Sequence, residues 1–238
     1  MDKIKIFSKS QFSLLWWSGT ISSFGDWATL FGSVALASYL GTEAGNSELT
    51  AIVPLIARIV PALLSSFAGL IADRYDKKMI MIFCDVIRMI FVMFLFFADN
   101  LYSIFLINFL SEIFSLIRQP SREAVVPEIV NKENLVKANS LFAIGTYATL
   151  PVASLALGVV SDWNSLELIN ETGNGWSGSI IFLFDTFTFM ASAILLYFLK
   201  NQNKNTLNKK PDVSFKNFKD GLDYFFKIKD IRNISFSI

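Results

Sequence analysis

Long apolar runs alternate with short polar segments through the first 200 residues. An α-helix needs roughly 20 apolar residues to cross the ~30 Å hydrocarbon core of a bilayer. Six runs approach or exceed this length, at residues 12–40, 49–72, 79–98, 101–117, 138–160 and 180–199. The pattern predicts an all-α membrane protein in which residues 1–200 form a bundle of six transmembrane helices.

The positive charges outside these runs are distributed unevenly. They fall in the amino terminus, the segment 73–78, the segment 118–137 and the tail, whereas the other three connections contain no Lys or Arg. Cytoplasmic loops of membrane proteins carry an excess of Lys and Arg. We therefore expect a multi-pass protein of the cell membrane with both termini, and the charged hairpin loop 69–78, in the cytoplasm.

The tail differs from the bundle. It begins as an Asn- and Lys-rich stretch, and after Pro211 apolar side chains recur at the spacing of a helix. A helix that is apolar on one face and basic on the other lies on a membrane surface. We predict a cytoplasmic linker with an amphipathic helix over residues 201–230, and the start of an incomplete seventh helix over residues 231–238.

Composition supports a membrane protein and excludes several chemistries. Hydrophobic residues make up 53% of the chain and charged residues 17%, where a soluble domain carries about a quarter charged residues. The chain has no His and a single Cys, and it has no Gly-rich phosphate-binding motif. We predict no catalytic residues, no metal site, no cofactor and no nucleic-acid partner. The expected partners are the lipid bilayer and a small-molecule substrate.

Six charged residues lie inside the predicted spans, where charge is costly and is either paired or functional. At 1.5 Å per residue they form two layers: one at roughly 21–22 Å from the cytoplasmic ends and one at roughly 8–14 Å. The outer layer is Asp26, Arg58 and Asp185, and the inner layer is Asp85, Arg88 and Glu112. Each layer has one surplus acid. We expect one acid in each layer to neutralise its Arg as a structural pair, with Arg58 paired to Asp26 or Asp185. Alternatively, the surplus acid titrates, or it meets a cationic substrate or a coupling proton.

The hairpin loop resembles the signature between the second and third helices of the major facilitator superfamily, Gly-x-x-x-Asp-Arg/Lys-x-Gly-Arg/Lys-Arg/Lys. The matching positions are Gly69, Asp73, Arg74, Lys77 and Lys78. Asp76 stands where the superfamily usually has Gly. Segments 22–27, 57–62, 118–122, 136–139 and 184–185 resemble the macrolide-efflux-like and enterobactin-exporter-like branch of that superfamily.

The resemblance implies one amino-terminal half of a twelve-helix secondary transporter that works by alternating access, with proton-coupled efflux of a drug or small metabolite. It favours Asp26 and Glu112 as functional residues, since the first and fourth helices face the cavity. With Arg58 of the second span, they are the candidates for transport or proton coupling. It favours structural roles for Asp85, Arg88 and Asp185. The signature residue Asp73 would act as a conformational latch.

A single six-helix half leaves the substrate site incomplete. We expect a bacterial gene product that is truncated, whose partner is the missing carboxyl-terminal six-helix half or a second chain. The alternative is a non-transporting half-size membrane protein with an assembly or regulatory role.

Overall fold

The computed structural model describes residues 10–43, 45, 47–62, 75–161 and 176–200, and within these ranges the chain is helical with no β-strand. Two short 3₁₀ turns, Lys132–Asn134 and Ser177–Ser179, precede the last two helices. The α-helices are α1 (Ser10–Glu43), α2 (Ser47–Thr50), α3 (Val53–Ala62), α4 (Lys77–Leu95), α5 (Leu101–Ile129), α6 (Leu135–Ser161) and α7 (Ile180–Tyr197).

The predicted all-α class is confirmed. Three of the described segments are long and apolar enough to cross a membrane: Leu101–Ile129, Lys132–Val160 and Ile180–Tyr197. Helix α1 encloses the predicted run 12–40, although its many Ser, Thr and Gly residues make it less apolar. Helix α4 carries Lys78, Asp85 and Arg88 within its 19 residues. The count of six spans stays a prediction, because the run 49–72 lies partly outside the described residues.

The helices pack around α1 and α7. Helix α1 lies against α6 and α7, α4 lies against α5 and α7, and α3 lies against α5. One apolar cluster, which includes Phe12, Met81 and Leu196, joins the start of α1 and α4 to the end of α7. A second, which includes Leu36, Val92 and Phe182, joins the opposite ends of the same helices. Between the two clusters lies a polar band of mostly buried side chains: Ser18, Asp26, Arg58, Asp85, Arg88, Glu112, Arg118, Asp185 and Ser192.

Glycines bring α1 and α7 into close contact. A Cβ atom built on Gly25 would collide with the carboxylate of Asp185 and the hydroxyl of Thr188, and one on Gly32 would collide with Ile181. Small residues at such positions let helix backbones approach in a membrane protein. The absence of a side chain at residue 25 therefore positions Asp185 against α1.

Two side chains cap helix starts and set where the helices begin. Asp76 accepts a hydrogen bond from the backbone N–H of Met79 at 3.0 Å, and Asn100 accepts one from Ser103 at 2.8 Å. Such caps satisfy N–H groups that have no partner within the helix. Asp76 therefore has a structural reason to replace the usual Gly of the hairpin signature: it caps α4.

The polar connection expected over residues 118–137 is largely helical. Helix α5 continues without interruption through Pro120 and Pro127 and ends at Ile129. Beyond residue 118, Ser121, Val125, Val126 and Ile129 are buried at helical spacing. Burial of this face outweighs the hydrogen bonds that the prolines remove. The predicted tail, residues 201–230 and 231–238, lies outside the described residues.

Replacing Gly25 by Ala should destabilise the bundle by about 1–3 kcal/mol, the usual cost of overpacking, because the added methyl group meets buried atoms of Asp185 and Thr188. The measurement is thermal unfolding of the purified chain in detergent. Gly158→Ala is the matched control, since nothing lies within 4 Å of a Cβ at that helical position. Equal melting temperatures for the two variants would contradict the close α1–α7 contact.

Candidate functional site

A buried ion pair joins α4 to α5. Arg118 Nε lies 2.6 Å from Asp85 Oδ1, and the Asp85 side chain is fully buried. Ser192 of α7 donates a hydrogen bond to Asp85 Oδ2 at 2.6 Å. Arg118 Nη2 lies 3.3 Å from the hydroxyl oxygen of Ser18 in α1 and 3.2 Å from that of Ser192. This polar junction therefore connects four helices.

A second ion pair joins α1 to α4. Arg88 Nη2 contacts Asp26 Oδ1, and the arginine side chain is 5% exposed where the aspartate is 29% exposed. Arg88 also stacks on the ring of Phe189, with its guanidinium carbon 4.3 Å from the ring centre. The expected pairing within each layer is therefore wrong for Arg88, because its long side chain reaches from the inner layer to an acid of the outer one.

Arg58 does not form the ion pair expected from the sequence. Its Nη2 donates to the backbone carbonyl of Asp26 at 3.2 Å, and its Nε has no hydrogen-bond partner among the described residues. Glu112 and Asp185 act on it electrostatically from longer range. The carboxylate of Asp26 is already taken by Arg88, which explains why Arg58 meets the backbone instead.

Asp185 and Glu112, the other two acids of the band, form no ion pair within the described ranges. Asp185 is fully buried and lies against the hydroxyl groups of Thr29 and Thr188. Glu112 is partly exposed and acts electrostatically on Arg58 and Arg88.

A cavity of about 580 Å³ opens beside this polar band. Its walls come from α1, α4, α5 and α6. The charged side chains that line it are Asp26, Arg88, Arg118, Arg122 and Glu123, and the aromatic ones are Trp27, Phe142 and Tyr147. Its volume lies in the range of roughly 300–1,000 Å³ that holds a drug-sized molecule.

The cavity presents one arginine that is not engaged in an ion pair within the described residues. Asp26 holds Arg88 and Asp85 holds Arg118, whereas Arg122 lies over the ring of Phe142 with its guanidinium carbon 5.1 Å from the ring centre. Arg122 is partly buried and belongs to α5. This arrangement can receive an anionic group beside an aromatic wall.

Comparison with known proteins identifies the family. The model of the Major Facilitator Superfamily matches residues 15–234. The chain belongs to the major facilitator superfamily.

Three relatives carry the name lysophospholipid transporter LplT. The protein of Pectobacterium carotovorum is 30% identical over 143 residues, 60% of this chain and 34% of the relative. The Escherichia coli (strain SE11) protein is 27% identical over 161 residues, 68% and 39% of the two chains, and the Cronobacter sakazakii protein is 26% identical over 160 residues, 67% and 39%. The chain spans little more than a third of the length of these relatives.

The predicted superfamily, a family of membrane transporters, is therefore confirmed. The three relatives are bacterial and are named for lysophospholipids, not for macrolides or enterobactin. The finer placement in the macrolide-efflux-like and enterobactin-exporter-like branch is not supported by these names.

Two residues of the major facilitator signature lie in the described ranges, at the start of α4. Lys77 Nζ is 2.5 Å from Glu128 Oε1, near the end of α5. Lys78 Nζ donates to the carbonyl oxygen of Tyr197 at 2.6 Å and lies 5.5 Å from the centre of the Tyr197 ring, at the end of α7. These lysines tie three helix ends together. Gly69, Asp73 and Arg74 lie outside the described residues, so the latch role of Asp73 stays a prediction.

Of the three transport candidates, Asp26 lines the cavity, whereas Arg58 and Glu112 are not among its lining residues. Sequence reasoning missed Arg118 and Arg122, which it placed in a loop. The signal that could have found them is the apolar face formed by Val125, Val126 and Ile129, which continues the helix past both prolines.

Asp85→Asn should destabilise the bundle by about 3–5 kcal/mol, because it leaves the buried charge of Arg118 without its counter-ion. The double variant Asp85→Leu, Arg118→Met removes both charges and should recover much of this loss. Unfolding in detergent measures both effects.

Glu128→Gln serves as the control, since the Lys77–Glu128 pair is partly exposed and such pairs contribute about 0–1 kcal/mol. If Asp85→Asn cost no more than Glu128→Gln, the buried pair would not hold the four helices together.

Proposed function

We propose that this chain forms one helical bundle of a secondary active transporter for an amphipathic molecule whose headgroup carries a phosphate, with lysophospholipid as the substrate class. The observation that carries the proposal is Arg122, a cation on the cavity wall that no carboxylate engages as an ion pair within the described residues. Membership of the major facilitator superfamily supports transport, and the relatives' names support the lipid class.

The charge of the cavity fits a headgroup that contains phosphate. Three arginines line it against two carboxylates. Arginine presents a planar fork of N–H donors that matches phosphate oxygens, and such charge-assisted bonds are stronger than neutral ones. Arg88 and Arg118 are already held by Asp26 and Asp85. Arg122 is therefore the arginine available to a phosphate.

The uncharged wall of the cavity fits the rest of such a molecule. Trp27, Phe142 and Tyr147 line it with Val126 and Leu135. Trp27 is held in place because its indole N–H donates to the carbonyl of Thr146 in α6 at 2.9 Å. Aromatic faces with fixed polar edges suit a ligand that is apolar at one end and polar at the other.

Proton-coupled efflux of a drug or small metabolite is the second candidate function. The observation that favours it is Asp26, whose carboxylate lines the cavity and is more exposed than its partner Arg88. Such a group can bind a proton or a cationic drug. In this candidate Asp26 couples transport to protons, and Arg58 and Glu112 adjust the electrostatic balance of the Asp26–Arg88 pair.

Binding to the purified chain separates these candidates. Lysophosphatidylethanolamine should bind in maltoside detergent, and a monoacylglycerol with the same acyl chain should bind far more weakly, since it lacks the phosphate. Arg122→Gln should weaken binding of the phospholipid by about tenfold or more, the loss expected for a hydrogen bond to a charged group. Lys137→Gln is the matched control, because this lysine is exposed and does not line the cavity.

Equal binding of the two lipids, or equal effects of the two substitutions, would overturn the lipid proposal. For the drug candidate, a lipophilic cation should bind with an affinity that Asp26→Asn reduces and Arg122→Gln leaves unchanged. Uptake into proteoliposomes that contain the full chain then tests transport itself.

A further inference from the structure

Two fully buried aspartates in the polar band have different surroundings. Asp85 pairs with Arg118 at 2.6 Å, whereas Asp185 has no ion-pair partner within 4.0 Å among the residues that the structure describes. Its Oδ2 lies against the hydroxyl of Thr29, and its Oδ1 lies 2.6 Å from Thr188 Oγ1. An isolated ionised carboxylate in an apolar interior is costly, and such groups neutralise themselves by binding a proton.

The hydrogen bonds of Thr188 indicate whether the Asp185 carboxyl group carries a proton. Its Oγ1 lies 2.9 Å from the backbone carbonyl oxygen of Asp185 and 2.6 Å from Asp185 Oδ1. A threonine hydroxyl has one hydrogen, which can be directed at only one of these acceptors with good geometry, and a carbonyl has none to give. If Asp185 were ionised, one of the two contacts would bring lone pairs together without a proton between them.

The same comparison of donors and acceptors at Asp85 indicates an ionised carboxylate. Ser192 donates to Asp85 Oδ2, Ser18 can donate to Ser192 at 2.9 Å, and Arg118 supplies the remaining hydrogens. Each hydrogen bond has its own donor while Asp85 stays an ionised carboxylate, which only accepts. The contact of Asp85 Oδ1 with Arg118 Nε is an ion pair rather than a hydrogen bond, and it also requires the charged form of Asp85. The polar band thus contains one aspartate whose contacts suit the charged form and one whose contacts suit the neutral form.

We infer that Asp185 is a proton-binding site, a neutral carboxyl group that donates from Oδ1 to Thr188 Oγ1 while Thr188 donates to the backbone. Thr29 donates to Oδ2. While the helices are packed, the backbone of α1 at Gly25 lies directly against the carboxyl group of Asp185 and excludes water from it. The proton therefore exchanges with water only when α1 and α7 separate. This inference goes beyond the proposed function and does not depend on it.

The charged groups around Asp185 connect it to the cavity. Arg88 of α4 and Arg58 of α3 act on it electrostatically. Arg88 stacks on Phe189, one helical turn after Asp185, and is ion-paired with Asp26 of α1 on the cavity wall. Glu112 of α5 acts electrostatically on the same two arginines. Arg118 of α5 holds Asp85, and Lys137 of α6 lies at the far end of that helix.

Loss of the proton would create a second carboxylate near one guanidinium. Asp185 would then compete with Asp26 for Arg88, and Asp26 would become available to a substrate or a proton in the cavity. Proton occupancy at a buried site would in this way change the charge of the cavity wall without any direct contact between the two carboxylates.

Infrared spectroscopy of the purified full chain in nanodiscs tests the site. At neutral pH, Asp185→Asn should remove a C=O stretching band of a protonated carboxyl group and leave the carboxylate bands unchanged. Glu128→Gln is the control, since this ion-paired residue should contribute to the carboxylate bands only. Loss of carboxylate intensity in Asp185→Asn, with no loss of a protonated band, would overturn the inference.

Two further variants test the proton count and protect against a folding failure. Thr188→Val removes the acceptor of the Asp185 proton, so the protonated band should shift to higher frequency, whereas Thr188→Ser should restore its position. Because an Asn amide can replace a neutral carboxyl as donor to Thr188, Asp185→Asn should melt close to the unmodified chain, and Asp85→Asn should melt well below it. An unshifted band in Thr188→Val, or equal melting losses for the two Asn variants, would count against a neutral Asp185.

Discussion

The ion pair between the carboxylate of Asp85 and the guanidinium of Arg118 determines how the helices of this bundle are positioned. Removing either ion alone from water would cost roughly several kcal/mol of free energy. The buried pair is stable only because further hydrogen bonds satisfy its remaining donors and acceptors. Ser18 and Ser192 supply those bonds from two other helices. Four helices must therefore keep their relative depth to within hydrogen-bonding distance, a far stricter requirement than apolar packing imposes in a bilayer.

The remaining charges arrange themselves around that junction. Arg88 contacts Asp26 on the cavity side and Phe189 on the core side, so its side chain lies between the cavity and the apolar core. Arg58 finds a backbone carbonyl because the carboxylate nearest to it is occupied. The aromatic and arginine-rich cavity lies at the edge of the polar band, and Trp27 and Phe142 line it beside the charged residues.

Hydrophobic runs predicted the all-α class because crossing hydrocarbon leaves the backbone few alternatives. Depth counted along the sequence placed the intramembrane charges in two layers, and the Arg88–Asp26 pair joins residues of both. Pairing could not be predicted, since it depends on where long side chains reach: Arg88 crosses from one depth to another, and Arg118 turns inward from a segment that looks like a polar loop. Two prolines suggest an end to α5, yet tertiary burial of Val125 and Ile129 keeps the helix intact. The prolines express only a local preference of the backbone, and tertiary packing determines where α5 ends.

The unbroken course of α5 has a mechanical consequence. With 29 residues it is a rod about 43 Å long, and about 15 Å along its axis separates Arg118 from Glu128. One end of that interval is fastened to Asp85 within the bundle and the other to Lys77 at the start of α4. The buried Asp85–Arg118 pair and the packing of α4 against α5 resist pivoting of α5, and the Lys77–Glu128 pair adds a second, weaker contact between the same two helices. Helices α4 and α5 therefore form a single unit, and the Asp85–Arg118 junction ties that unit to α1 and α7.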